Sequence, residues 1–173
     1  MNKLVALLRS GGSLLDIGCG SGNPVDVFLA SSFKVTGVDI SIAQIECAKQ
    51  NVPDATFIHS DATVVEFPDS AFDSIISIYA IEHIPREEHQ QFFDRLHRWL
   101  RQHGYFLLAI EANASSDVYG TFLGFPTFRS CFDAAATKNL LIKSGFEVIE
   151  SQIEVQVEEK QSVPYLWVLA KKT

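Results

Sequence analysis

The sequence predicts an α/β fold, a doubly wound and mostly parallel sheet that closes with one antiparallel strand. Three observations predict it. Short apolar runs of strand length alternate with stretches of helical periodicity. A glycine cluster, Gly18, Gly20 and Gly22, separates the first run from its helix. The chain then ends in two strand-like runs with no helix between them.

Taken in order, Leu4 to Leu8 reads as the last turns of a helix stopped by Gly11 and Gly12, where glycine tolerates the left-handed conformation of a helix end. Leu14 to Ile17 and Val35 to Val38 are buried strands bounded by Gly, Ser or Asp. Between them Asn23 and Pro24 supply an N-cap and a first-turn proline, followed by Val25, Phe28 and Leu29 at helical spacing. Ser41 caps a second helix with Ile42, Ile45 and Ala48 on one face, ended by Pro53. Strands follow at Thr56 to Ile58 and Phe72 to Ile78, then a helix over Arg86 to Leu100 carrying Phe92, Phe93, Leu96 and Trp99 and ended by Gly104. Tyr105 to Ile110 is a fifth strand. A helix over Asp133 to Lys143 closes at Ser144 and Gly145. The final strands are Phe146 to Val155 and Pro164 to Lys171, joined by a polar turn at Glu158 to Ser162. Glu111 to Phe132 is the longest irregular stretch, and a loop of that length in a compact domain points to function.

The composition narrows the function. A chain of 173 residues fits one domain spanning 1–173, and 47% hydrophobic against 20% charged residues places it with globular rather than disordered chains. A net charge of −7 offers no field to attract a phosphate backbone, so no nucleic-acid partner is expected. Arg95, Arg98 and Arg101 recur every three residues, as on a solvated helix face. Three cysteines, Cys19, Cys47 and Cys131, are odd in number and lack C-x-x-C spacing, which fits a reducing compartment and a cytoplasmic location. No apolar window reaches the length of a membrane span, and Leu4 to Leu8 is too short for a signal-peptide core. The expected assembly is a monomer or a homodimer.

The chemistry lies in the loops after the strands, where open α/β sheets collect ligands. Asp16-Ile17-Gly18-Cys19-Gly20-Ser21-Gly22 allows a tight turn and close approach of a ligand to the backbone. A dinucleotide fingerprint counted from Gly18 would need glycine at position 23, which is Asn23. Asp39 follows the second strand, 17 residues after Gly22, and a carboxylate there can accept both hydroxyls of a ribose, a device also used for NAD. Asp61 follows the third strand, in Ser60-Asp61-Ala62. The five histidines, His59, His83, His89, His97 and His103, show no H-E-x-x-H pattern, and no metal is assigned.

Those three loops in that order resemble the class I S-adenosylmethionine-dependent methyltransferases, over about residues 13 to 172. The resemblance implies a Rossmann-like seven-stranded sheet of order 3-2-1-4-5-7-6. It implies S-adenosyl-L-methionine as cofactor, with S-adenosyl-L-homocysteine as product. Asp16, Gly18, Cys19 and Gly20 then form the glycine turn, Asp39 takes the ribose hydroxyls, and Ile40 packs on adenine. Asp61, with Ala62, accepts from the adenine amino group, and the carbonyl near Ile78 accepts from the cofactor's amino group. Phe72 to Ile84 resembles the fourth strand and substrate-facing loop of small-molecule members, Ser144 to Val148 the turn into the sixth strand, and Leu166 to Lys171 the antiparallel last strand. Members commonly carry a few tens of residues of helix ahead of the first strand, whereas about a dozen residues precede it here. The cofactor is therefore expected to be open, or covered by a partner subunit or by the 111–132 stretch. The absence of an N-P-P-aromatic tetrapeptide after the fourth strand favours a small-molecule methyl acceptor.

Methyl transfer is an in-line displacement at an activated carbon, so alignment and exclusion of water dominate. A hydroxyl or ammonium acceptor must still lose a proton, and His83 is the candidate base, histidine ionising near pH ~6.5 when unperturbed; as a structural residue it would cap a helix. Tyr79 could lay its ring against the sulfonium or simply pack. Glu111 could orient an amine or assist the base, and Arg129 could hold a substrate carboxylate, unless both are surface charges. Two other readings stay open: a cofactor-binding module without turnover, acting through partners, and an NAD-linked oxidoreductase, which the missing third glycine disfavours.

Overall fold

The computed structural model describes residues 2–122, 124–158 and 161–173. Its strands are β1 (Ser13–Ile17), β2 (Lys34–Asp39), β3 (Thr56–His59), β4 (Phe72–Ile78), β5 (Leu100–Glu111), β6 (Ser115–Phe122), β7 (Phe125–Cys131), β8 (Phe146–Glu158) and β9 (Gln161–Lys172). Its helices are α1 (Asn2–Leu7), α2 (Val25–Leu29), α3 (Ile42–Asn51), α4 (His89–Trp99) and α5 (Ala134–Lys143), with 3-10 turns at Ile81–His83 and Arg86–Glu88. Seven strands form one sheet in the order β3-β2-β1-β4-β5-β9-β8, parallel except that β9 runs antiparallel to both its neighbours. With the β6-β7 hairpin set aside, this is the expected 3-2-1-4-5-7-6.

Period-two alternation divides the core between the two faces of the sheet. Leu15, Ile17 and Ile75 point to the face covered by α4 and α5, where Phe92, Phe93, Leu96, Trp99 and Leu141 are buried. Leu14 and Ile76 point to the other face, with Leu4 of α1 and Leu29 of α2. Strands buried on both faces read as continuous apolar runs, which is why β1, β2 and β4 were visible in the sequence. No described helix is long and apolar enough to cross a membrane.

Five expectations are corrected. The 111–132 stretch is not irregular: β6 and β7 pair as a two-stranded antiparallel ribbon. Gly124, at φ +82°, belongs to its turn region, and Pro126 is tolerated because a two-stranded ribbon leaves backbone groups without a ladder partner. Gly104 does not end a helix. The helix stops at Trp99 and β5 runs through Gly104, where a Cβ would come within 2.9 Å of the Asp73 and Arg101 carbonyl oxygens, so glycine marks a close backbone crossing. Pro24 rather than Asn23 occupies the N-cap of α2, with no side-chain cap, while the Gly22 carbonyl accepts from Val27 N–H at 3.0 Å. Phe28 and Ile42 are about half exposed although their spacing placed them on buried faces, because α2 is a short helix and α3 buries only Ile45 and Ala48. The arginines do not share one solvated helix face: Arg95 of α4 is largely covered and bonds the Thr63 and Val65 carbonyls, while Arg98 of α4, paired with Glu66 and Asp69, and Arg101, which lies in β5 and pairs with Asp73, are exposed. They anchor the segment after β3. Of the polar turn expected at Glu158 to Ser162, residues 159 and 160 lie outside the described residues.

Candidate active site

The carboxyl ends of β1, β2, β3 and β4 surround a cavity of about 500 Å³, a size usual for a cofactor. The β1 turn is tied to β2 by Gly18 N–H and Cys19 N–H, which both donate to the Val38 carbonyl, at 2.8 and 3.1 Å. Gly18 has φ +75°, and a Cβ there would lie 2.2 Å from the Ala80 Cβ, so the turn needs glycine for both conformation and space. Asp39 stands at the rim with its carboxylate already oriented: Oδ2 accepts from Gly20 N–H and Oδ1 from Ser41 N–H, each at 2.8 Å. A carboxylate has about four lone-pair sites, so two remain for a diol in the cavity. Asp61 accepts from Thr63 N–H at 2.7 Å and Thr63 Oγ1 at 2.8 Å, both on Oδ1. Ile40 lines the cavity with 69% of its surface exposed. Rim carboxylates, bare glycine backbone and an exposed apolar side chain suit a ligand with a ribose, a flat base and a polar tail.

A second chamber of about 170 Å³ adjoins the first, and Tyr79 and His83 line both. Tyr79 follows β4 with φ +57°, a left-handed conformation that costs a non-glycine residue about 1–3 kcal/mol and concentrates at functional sites. Its hydroxyl accepts from Gln156 Nε2, and its ring lies 4.5 Å from that of Tyr165. His83 Nδ1 sits 2.8 Å from the Phe128 carbonyl. A carbonyl only accepts, so Nδ1 carries the proton and Nε2 is left as an acceptor. Arg129 pairs with Glu111 at 3.3 Å and Glu158 at 3.4 Å, while the Tyr165 hydroxyl donates to Glu158 at 2.5 Å. The ribbon reaches this chamber with Thr127 and Arg129, and is fastened to it by the Phe128 contact and by Arg86 N–H donating to Ser130 Oγ at 3.1 Å.

A family model described as a methyltransferase domain matches residues 15–108, more than half of the chain. The chain belongs to this family. It is a class I S-adenosylmethionine-dependent methyltransferase by its fold and family, and S-adenosylmethionine is its cofactor. An uncharacterized methyltransferase of Bacillus licheniformis is 37% identical over 103 residues, covering 58% of this chain and 48% of that protein. The chain thus spans about half the length of that relative. Among solved structures, a SAM-dependent methyltransferase of Methanosarcina mazei superimposes with a TM-score of 0.84 at 19% identity, over 99% of this chain and 97% of that one. A 1,6-didemethyltoxoflavin N1-methyltransferase of Burkholderia thailandensis, with its acceptor and S-adenosylhomocysteine bound, gives 0.77 at 21% identity, over 99% and 76%.

Of the residues the sequence singled out, the methyltransferase brings Gly18, Gly20, Asp39, Ile40, Asp61 and Ala62 to the cofactor-sized cavity and Arg129 to the second chamber. Asp16, Cys19 and Ile78 lie behind the lining of the first, and Glu111 behind Arg129. Asp16 is buried, and desolvation followed by repulsion from Asp26 holds its carboxyl well above the usual range. Asp26 is itself fully buried and, by desolvation, pushed up to about 6. Burial pushes the Cys19 thiol far up, which removes any thiolate chemistry from the glycine turn. Among the described residues of the segment 111–132, Thr127 and Arg129 border the second chamber and none lines the first. Among the described residues no group of three or more His, Cys, Asp or Glu is arranged to hold a metal.

Sequence reasoning missed Glu82. It is 3% exposed and borders the second chamber, and its Oε2 has no hydrogen-bond partner among the described residues. Burial, then the charges of Glu111 and Glu158 against the opposing Arg129, push its pKa up to about 8. The available signal was an acid lodged between Ile81 and Ile84, which occupy buried positions at the spacing of a single turn.

Proposed function

We propose that this methyltransferase passes the methyl group to a small-molecule acceptor held in the second chamber, by in-line displacement. One observation carries the reading: a cofactor-sized cavity and a small chamber share a wall made by Tyr79 and His83, which suits a donor and an acceptor meeting there. The bound acceptor of the Burkholderia enzyme of the same fold lends support from a relative.

In this reading Asp39 takes the ribose hydroxyls on its remaining lone pairs, Ile40 covers adenine and Asp61, beside Ala62, accepts from the adenine amino group. The backbone of Gly18, Cys19 and Gly20, with Asp16 behind it and the Ile78 carbonyl opposite, borders the amino-acid end. The bound cofactor supplies an activated methyl group. Tyr79 sets the ring wall along which the acceptor aligns, and its two ring contacts and hydroxyl bond keep that wall fixed. His83 Nε2 is the available acceptor for a proton at the shared wall. Glu111 fixes Arg129, and because Arg129 already pairs with two carboxylates it balances their charge rather than holding a substrate carboxylate.

Calorimetric titration with S-adenosylmethionine, S-adenosylhomocysteine and NAD tests the cofactor site. Ligand at 100 times Kd should add about 2.7 kcal/mol to stability for the adenosyl ligands and nothing for NAD. Release of S-adenosylhomocysteine in an acceptor screen then distinguishes turnover from cofactor binding alone, and binding with no turnover on any small molecule would overturn the proposal.

A further inference from the structure

We infer that the second chamber is built for an acceptor that enters as an ammonium ion, with Glu82 as the group that pairs with it and takes its proton. This deepens the small-molecule reading and rests on it. Three carboxylates, Glu82, Glu111 and Glu158, meet one guanidinium, Arg129. Arg129 pairs with Glu111 and Glu158, and among the described residues Glu82, the most buried of the three, forms no ion pair, although the Arg129 charge acts on it.

A buried carboxyl with an unpartnered oxygen at a cavity wall is costly unless something supplies a cation or a donor. The surrounding surface suits a cation. The Tyr79 and Tyr165 rings, with centroids 4.5 Å apart, both line the chamber, and aromatic faces attract ammonium groups. The groups that face Glu82 are Glu111 of β5, Arg129 and Cys131 of β7, Glu158 of β8, Tyr165 of β9, and Tyr79 and His83 beside it. Among the described residues Arg129 is the one cation in this group. A further chamber of about 320 Å³, sharing Thr127, Arg129 and Glu158, leaves room for the rest of the acceptor between the two hairpins.

The step balances. The ammonium gives a proton to the Glu82 carboxylate, and the freed nitrogen lone pair forms the bond to the methyl carbon. The carbon–sulfur bond breaks with its electron pair returning to sulfur, giving an N-methylammonium, the thioether and protonated Glu82.

Because burial raises the Glu82 carboxyl to about 8, an arriving ammonium should expel its proton. The test is calorimetry on protein saturated with S-adenosylhomocysteine, at pH 7, in buffers of differing ionisation enthalpy. The probes are size-matched series of primary and secondary amines, the corresponding alcohols and the corresponding carboxylates, first sorted by thermal shift. Amines are expected to bind at least ~10-fold tighter than their alcohols, with release of up to one proton per amine, as expected for neutralising a carboxylic acid with a cation. In Glu82→Gln the preference and the proton release both vanish while S-adenosylhomocysteine still binds. Preference for alcohols or carboxylates, no binding of any amine, or unaltered proton release in Glu82→Gln would overturn the inference and leave the methyltransferase reading in place. Failure of S-adenosylhomocysteine to bind would instead strike the cofactor site on which the inference stands.

Discussion

The two adjoining cavities are made in opposite ways. The larger is assembled from short turns directly after consecutive parallel strands, and its polar contacts are mostly backbone amides and rim carboxylates fixed by them, as Asp39 is by Gly20 and Ser41. The smaller gathers side chains from a 3-10 turn, a ribbon and the terminal hairpin, with Glu82, Arg129 and Glu158 far apart in sequence. A site made of backbone has few ways to vary, because each turn must keep its conformation. A site made of side chains on hairpins can change its charge one residue at a time.

The contrast breaks if substitutions at the first site act through side-chain chemistry alone. Gly18→Ala should be the most damaging, since its Cβ meets Ala80 at 2.2 Å and φ is +75°. Left-handed strain and overpacking together cost about 2–4 kcal/mol. A melting temperature lower by roughly 5–15 °C is the expected readout, at ~2–4 °C per kcal/mol for a chain of this size. A fall of less than a degree would mean that the turn is plastic.

Next in size, Asp39→Ala should weaken S-adenosylhomocysteine binding about 10- to 150-fold, because charge-assisted hydrogen bonds contribute about 1.5–3 kcal/mol. Titration calorimetry measures it, and an unchanged Kd would remove Asp39 from the cofactor site. At the second chamber, Arg129→Met leaves Glu111 and Glu158 without their shared cation. Unfolding should be easier by about 1–3 kcal/mol, the middle of the range for breaking half-buried pairs, with cofactor affinity altered less than ~3-fold. Equal damage to both properties would show that the chambers are not independent.

The smallest effect is the most specific in pH. Asp26 holds its proton in the folded chain up to about pH 6, whereas a carboxyl in the unfolded chain gives it up near 3.8. Between those values the folded state binds more protons than the unfolded, so this residue lowers stability as pH rises and its full cost is present above pH 6. Asp26→Asn should raise stability at pH 7.5 by about 1–2 kcal/mol and flatten the profile between pH 4 and 6. A profile unchanged by the substitution would mean that Asp26 does not carry that proton.

The same contrast explains what could be read in the sequence. Strands buried on both faces, the glycine turn and the acids after β2 and β3 depend on local chemistry, so Asp39 and Asp61 could be singled out as candidates, whereas the order of the sheet came from the resemblance that those loops carry. The ribbon was hidden because Gly120, Gly124 and Pro126 are as common in loops as in short two-stranded ribbons. Glu82 stayed unassigned because its meaning comes from Arg129, more than 40 residues away, being engaged by other carboxylates. Arg95 was misread for a similar reason, since its carbonyl partners Thr63 and Val65 come from a segment with no periodic pattern.

The reversed direction of β9 has one more effect. Entering the sheet antiparallel, it brings its own beginning, and the end of β8, to the rim where the parallel strands finish, so Glu111 stands opposite Tyr165 in register. A hairpin there can be lengthened, shortened or recharged without shifting a single parallel strand. Under the proposed division of roles, donor recognition and acceptor choice can vary separately: one scaffold can keep its methyl source while exchanging the molecule it modifies.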